Sequence, residues 1–141
     1  VVDIHSRFLF ESWVFQRRKA RELSPREFKE LMLKAQEEAY GEALATRHPY
    51  MWAVKGHYYG ADFYNYPYTL GLLFGLAVYQ EAKEAPGFAG RYEALLAESG
   101  RYRATELALR FGFDLESVDF WRRGIRVLEE KVAQLERMIS P

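Results

Sequence analysis

The sequence predicts an all-α protein, and three observations support this. Apolar residues recur at spacings of three, four and seven, which is the period of an amphipathic helix. Ser24 and Glu27 stand three positions apart at the start of one such stretch, in the pattern of a helix capping box. No stretch alternates apolar and polar residues between turn residues, as a strand would. The 141 residues suffice for one core, so a single helical unit over 1–141 is predicted.

Six helices are predicted in order along the chain. They cover 3–22, 25 to the run Arg47-His48-Pro49, 68–84, 88–98, 105–112 and 117–139. Residues 50–66, called here the aromatic segment, lie between the second and third helices. The third helix is apolar nearly all round in its first half, which predicts burial on most sides. The last helix carries one apolar stripe, made of Val118, Trp121, Ile125, Leu128, Val132, Leu135 and Ile139.

Composition excludes several classes of protein. Lysine plus arginine equals aspartate plus glutamate at 20 each, which argues against a dedicated nucleic-acid binder. The absence of cysteine excludes disulfides and thiolate chemistry. No apolar run reaches the length of a membrane span, and no signal peptide precedes the first helix, so a cytoplasmic protein is expected. Arginine outnumbers lysine and asparagine occurs once, which suggests a thermophile.

The chain holds no self-contained catalytic apparatus in its sequence. Its three histidines, His5, His48 and His57, have no second histidine or carboxylate at the helical spacing of metal ligands. No phosphate-binding glycine loop and no nucleophile elbow occur. We therefore expect the chain alone to bind no metal. It begins Val-Val-Asp rather than with methionine, and we expect it to be a piece of something longer.

Half of the ten tyrosines fall within GHYYGADFYNYPYTLG, residues 56–71. A tyrosine hydroxyl is a neutral donor at pH 7 because its ordinary pKa is about 10. Such a donor suits an oxyanion that appears only in a transition state. Gly56 and Gly60 would let the segment close on a substrate. Tyrosines also fill cores with their hydroxyls at the surface, and composition leaves both interpretations open.

Two runs of the sequence are distinctive, HPYMWAVKGHYY (48–59) and FYNYPYTLGLLFGLAVY (63–79). They resemble the C-terminal part of oligoendopeptidase F, a family of zinc peptidases like thimet oligopeptidase, and they are the most specific part of the resemblance. DIHSRFLFE (3–11), AQEEAYGE (35–42) and TELALRFGFDL with a following FW (105–121) agree in the same order. The resemblance covers nearly the whole chain.

The resemblance implies a helical, gluzincin-like peptidase that cleaves oligopeptides. It implies that His57 and Tyr66 stabilise the tetrahedral intermediate, that Tyr59 is their partner, and that Tyr64 contacts substrate. The family holds zinc by an H-E-x-x-H motif and a downstream glutamate, which lie upstream of these runs and are missing here. The chain then corresponds to a C-terminal portion, inactive alone, whose partner is the N-terminal zinc-bearing part. Apolar surface left uncovered, which we expect on the helix from Tyr68 to Tyr79, would favour self-association.

Two other functions stay open at this point. One is a non-catalytic helical interaction module that retains the peptidase scaffold. The other is a small helical domain that binds an apolar ligand among its aromatic residues. An H-E-x-x-H motif in frame upstream of Val1 would favour the peptidase over both.

Overall fold

A computed structural model describes residues 1–139, and the regular secondary structure of this part of the chain is entirely helical, without a strand. The all-α prediction is confirmed. Seven α-helices follow one another in it: α1 Val2–Arg18, α2 Pro25–Tyr40, α3 His57–Gly60, α4 Tyr66–Glu84, α5 Phe88–Ala97, α6 Ala104–Arg110 and α7 Val118–Ile139. A short 3₁₀ helix, Met51–Val54, lies between α2 and α3. No helix in the described part is both long and apolar enough to cross a membrane.

The chain forms two compact units. The first is Val1–Leu70 and the second begins at Gly71, so the boundary falls within α4. Each unit has its own cluster of buried apolar residues. That the chain is the C-terminal portion of a catalytic domain stays a prediction.

The first unit is built on the packing of α1 against α2. Its core consists of Phe10, Val14, Leu31, Met32 and Ala35, all at most 8% exposed. The predicted capping box opens α2: the Ser24 backbone N–H donates to Glu27 Oε2 at 2.9 Å, and Ser24 Oγ accepts from the Glu27 backbone N–H. Arg21 also donates to Glu27, and with Ser24 it lowers the pKa of that carboxyl to about 2.

Helix α2 ends at Tyr40, so the prediction that it continues to Arg47-His48-Pro49 is wrong. Gly41 has a φ of 54° and a ψ of −127°, a backbone conformation that is open mainly to glycine, and the helix ends there. Beyond it, the Gln36 side chain pairs with the backbone of His48 in both directions, at 2.9 and 3.0 Å. These two bonds hold the chain that leads into the aromatic segment against α2.

The second unit packs α7 closely on α4. Its core consists of Ala77, Val78, Leu95, Leu107, Ala108, Phe113 and Phe120. Gly124 is buried in α7, and a Cβ added there would lie 2.5 Å from the Leu73 carbonyl oxygen. Glycine at this position therefore lets the two helix backbones approach.

The first half of α4 is more exposed than its composition predicts, so the prediction of burial on most sides is wrong. Tyr66, Tyr68, Leu70 and Leu72 are all between 42% and 47% exposed. An apolar pattern on all sides of a helix indicates that its side chains are suited to burial. It does not provide the surface that buries them, and nothing in residues 1–139 covers these side chains fully. Burial begins further along, at Ala77 and Val78.

Replacing Gly124 with alanine should lower the free energy of unfolding by roughly 1–3 kcal/mol, because the added methyl overlaps the Leu73 backbone. Gly75→Ala is the matched control, since Gly75 lies inside α4 and a Cβ added there would meet no neighbouring atom within 4 Å. It should raise stability by about 0.5–1 kcal/mol through helix propensity. Urea unfolding of both variants checks this. Equal effects of the two substitutions would show that α4 and α7 do not approach at Gly124.

Candidate functional site

Three aromatic rings meet at the end of the aromatic segment. The His57 ring stacks on Tyr64 with centroids 5.6 Å apart and planes 11° apart. Tyr68 meets both rings edge-on, at 5.6 Å from each. The structure thus brings two of the predicted site residues, His57 and Tyr64, into one cluster, and it adds Tyr68.

A hydrogen bond joins His57 to Tyr68. The distance from His57 Nε2 to the Tyr68 hydroxyl oxygen is 3.1 Å. Partial desolvation, followed by the hydrogen bond and charge of neighbouring Tyr64, raises the pKa of Tyr68, so its hydroxyl stays protonated at neutral pH. When that hydroxyl donates to Nε2, the neutral imidazole carries its proton on Nδ1, and this N–H is the donor left for another molecule.

The other two predicted site residues lie apart from this cluster. The Tyr59 hydroxyl donates to the Trp52 carbonyl at 3.3 Å, and the side chain is 66% exposed. Tyr66 is the first residue of α4 and is 47% exposed. Both side chains are therefore accessible from solvent, but neither forms part of the ring cluster around His57.

Sequence reasoning misses Tyr68, because the apolar pattern places this residue only in a helix. A signal is present in the spacing, since Tyr68 follows Tyr64 by four positions and the chain between them enters a helix. Residues four apart approach each other in helical structure. Helix α4 begins at Tyr66 rather than Tyr68, so Tyr68 lies in its first turn and Tyr64 lies just before it.

Tyr58 anchors the short helix α3 to α1. Its ring packs edge-on against Phe10 at 5.2 Å, and its hydroxyl donates to the Arg7 carbonyl at 3.4 Å. Burial strongly raises the pKa of Tyr58, so this tyrosine is a neutral structural residue. Of the adjacent tyrosines in α3, Tyr58 thus fills the core and Tyr59 remains exposed.

Glu11 of α1 holds the aromatic segment in place. Its side chain is buried, at 3% exposed, and accepts a hydrogen bond from Asn65 Nδ2 at 3.2 Å. It also accepts one from the Phe63 backbone N–H. Asn65 is itself completely buried. One carboxyl group of α1 therefore fixes two positions just before Tyr66.

Phe63 is the point of backbone strain in the segment. Its φ of 53° is the one positive value at a residue other than glycine within residues 1–139. A bulky residue in this conformation costs about 1–3 kcal/mol, which the surrounding contacts must offset. Here the contacts come from α1: the Phe63 ring stacks on Phe15 at 4.3 Å, and its N–H bonds to Glu11. Glu11 and Phe15, four residues apart, form one holding face of α1.

A cleft opens beside this holding face. Its volume is about 190 Å³, and its lining includes Glu11, Phe15, Phe28, Trp52 and Tyr59. The Trp52 indole N–H is buried without a hydrogen-bond partner in the described part of the chain. The lining of the cleft is therefore mostly aromatic, and it includes Tyr59.

The described residues do not form a metal centre. Across residues 1–139 no group of three or more histidine, cysteine, aspartate or glutamate side chains is placed to hold a metal ion. Two of the histidines have other partners: His48 Nδ1 accepts from the Tyr50 backbone N–H, and His57 bonds to Tyr68.

Comparisons with protein families, curated proteins and solved structures found no match to this chain.

Replacing Glu11 with alanine should lower the free energy of unfolding by about 1–3 kcal/mol, because Asn65 and the Phe63 N–H lose a buried acceptor. It should also make the aromatic segment more sensitive to limited proteolysis. Glu11→Gln keeps an acceptor and is the matched control, so it should lose little stability and keep the segment protected. Identical proteolysis of wild type and Glu11→Ala would contradict the role of Glu11.

Wild type and Glu11→Gln also give a pH test. Burial, aided by nearby Asp62, raises the pKa of Glu11 above its ordinary value of 4.5, although Asn65 and the Phe63 N–H oppose the shift. The pKa of Glu11 is therefore higher in the folded chain than in the unfolded chain. The contribution of Glu11 to the free energy of unfolding is fully present below pH 4.5, and it is lost as the pH rises through the pKa of the folded chain. Stability of wild type relative to Glu11→Gln should therefore rise from pH 7 to pH 4.5, measured by urea unfolding. A fall would contradict the buried position of Glu11.

Proposed function

We propose that this chain is the C-terminal portion of the gluzincin-like catalytic domain of a zinc-dependent oligopeptidase of the oligoendopeptidase F kind. Its part in catalysis is to supply histidine and tyrosine hydrogen-bond donors to the tetrahedral intermediate of peptide-bond hydrolysis. The resemblance of the runs at 48–59 and 63–79 supports the proposal. The observation that carries it is the His57 cluster, in which Tyr68 and Tyr64 orient the imidazole beside a loop with exposed tyrosines.

The chemistry follows from the state of these donors. Attack on a peptide carbonyl places negative charge on its oxygen, and preorganised neutral donors stabilise that charge without a permanent counter-ion. In the proposal Tyr66 and His57 donate to this oxygen, and Tyr59 joins them when the glycine-flanked loop moves. Tyr64 contacts the oligopeptide. Tyr68 positions His57 and does not touch the substrate.

Zinc would be supplied from elsewhere in the parent enzyme. Because the described residues contain no set of side chains placed to hold a metal ion, we assign no zinc ligand to residues 1–139. The partner in this proposal is the N-terminal zinc-bearing part of the same enzyme, and the isolated chain is inactive. A cytoplasmic location and a thermophilic source remain predictions from composition.

A non-catalytic interaction module is the second candidate function. The exposed apolar side chains of α4 and α7 favour it, since large uncovered apolar surface marks a site of contact with another protein. A start codon directly before Val1, with no peptidase gene nearby, would favour this second function.

The decisive experiment replaces Tyr66 in the full-length parent enzyme. An in-frame H-E-x-x-H motif is expected upstream of Val1 in the parent gene. Tyr66→Phe should lower the turnover number about 100-fold or more, because it removes one oxyanion donor. KM and the melting temperature should change little, since the side chain is half exposed and loses only its hydroxyl.

Tyr79→Phe is the matched control for that experiment. Tyr79 lies on the same helix, is 56% exposed, and is far along the chain from the aromatic segment. The control should keep full turnover. Normal turnover of Tyr66→Phe would remove Tyr66 from the mechanism, and absence of the upstream motif would overturn the peptidase proposal as a whole.

A further inference from the structure

The apolar stripe of α7 is a heptad repeat. Val118, Ile125, Val132 and Ile139 are separated by seven residues each, and Trp121, Leu128 and Leu135 follow the first three of them by three. These are the a and d positions of a coiled coil, continued over three heptads. The positions span the whole of α7.

The face of α7 that packs within the second unit is a different one. Phe120 and Val127 are 5% and 6% exposed, and both are c positions of the heptad. Gly124, a g position, is the point of close approach to Leu73. The helix therefore uses its c and g positions for its own core, and its a positions are not needed there.

Most of the a and d positions remain uncovered. Val118, Val132, Leu135 and Ile139 are between 55% and 70% exposed, and Ile125 is 41% exposed. Trp121 and Leu128 are half-buried at the edge of the core, where the Trp121 indole N–H donates to the Leu115 carbonyl. A solvent-exposed helix does not need apolar residues at every a position, so this seam fits a facing helix.

The residue types indicate which kind of helix fits the seam. All four a positions are β-branched, and the last two d positions are leucine. In parallel coiled coils this combination favours two strands. The flanking charges agree, because Lys131 is a g position and Glu136 is the following e position, where a parallel pair brings g of one strand beside e of the other.

We propose that α7 forms a parallel, two-stranded coiled coil with α7 of a second copy of this chain, joined along the seam from Val118 to Ile139. Each a position then faces itself across the two-fold axis, and Leu135 at the last d position does the same. Trp121 at the first d position stays packed against its own core. Lys131 of one copy lies beside Glu136 of the other. The pairing is independent of the proposed peptidase function and involves no residue of the aromatic segment.

The oligomeric state tests the seam. Sedimentation equilibrium of the chain should show a monomer–dimer equilibrium. Leu135→Lys should raise the dissociation constant about 100-fold or more, because each dimer loses two apolar side chains from the seam and gains two charges there. Leu109→Lys is the matched control: Leu109 is 62% exposed, on α6 and outside the seam, and its substitution should leave the dissociation constant unchanged.

Engineered cysteines test the direction of the strands. The chain contains no cysteine, so a single introduced thiol can form a disulfide only with the same cysteine of a second chain. Val118→Cys and Leu135→Cys should each form a disulfide-linked dimer under mild oxidation, since a parallel pair places each position against itself. The two positions lie about 25 Å apart along the helix. An antiparallel pair could therefore link at most one of them, and Leu109→Cys should link in neither case.

A monomeric wild-type chain at its solubility limit would overturn the proposal, and would leave another part of the parent chain or a different protein as the occupant of the seam. A dimer that Leu135→Lys does not weaken would place the contact on another surface and also overturn it. Cross-linking at only one of the two cysteine positions would overturn the parallel arrangement.

Discussion

The buried hydrogen bonds of Glu11 are the interaction on which the candidate site depends. Residues 50–66 contain only two complete helical pieces of four residues each, and by themselves they have few buried apolar side chains. Glu11 joins α1 to Asn65 and to the Phe63 backbone, and Phe15 stacks on the ring of Phe63. The left-handed backbone at Phe63 persists because these contacts hold it. Helix α4 starts directly afterwards, at Tyr66.

The sequence could predict most of the helices because their signals are local. The capping box at Ser24, the glycine and proline breaks and the apolar period lie within a few residues of the structure they determine. The Glu11–Asn65 contact joins residues 54 positions apart, and no local pattern specifies it. The contact of Tyr68 could not be predicted from the sequence for a similar reason, since its hydrogen bond to His57 depends on how the aromatic segment folds. The early end of α2 depends on one backbone angle at Gly41.

Each of the two units carries one feature that its own packing does not use. In the first unit this is the set of tyrosines around His57, whose hydroxyls suit transient negative charge. In the second unit it is the a and d seam of α7, which suits another helix. The two features rest on different observations, because one depends on ring geometry and hydrogen bonds and the other on a seven-residue period and exposure. Evidence against the peptidase function would therefore leave the proposed coiled-coil dimer unaffected, and the reverse also holds.

Amide hydrogen exchange at Phe63 tests most directly whether α1 preorganises the aromatic segment. If the Phe63 N–H donates to buried Glu11, it should exchange slowly, with protection close to that of core amides of α1 such as Val14. Such protection in a residue outside any helix would be the signature of this contact. Exchange of the Phe63 amide at the rate of an unstructured peptide would contradict the account, because the donors around His57 would then have no fixed support.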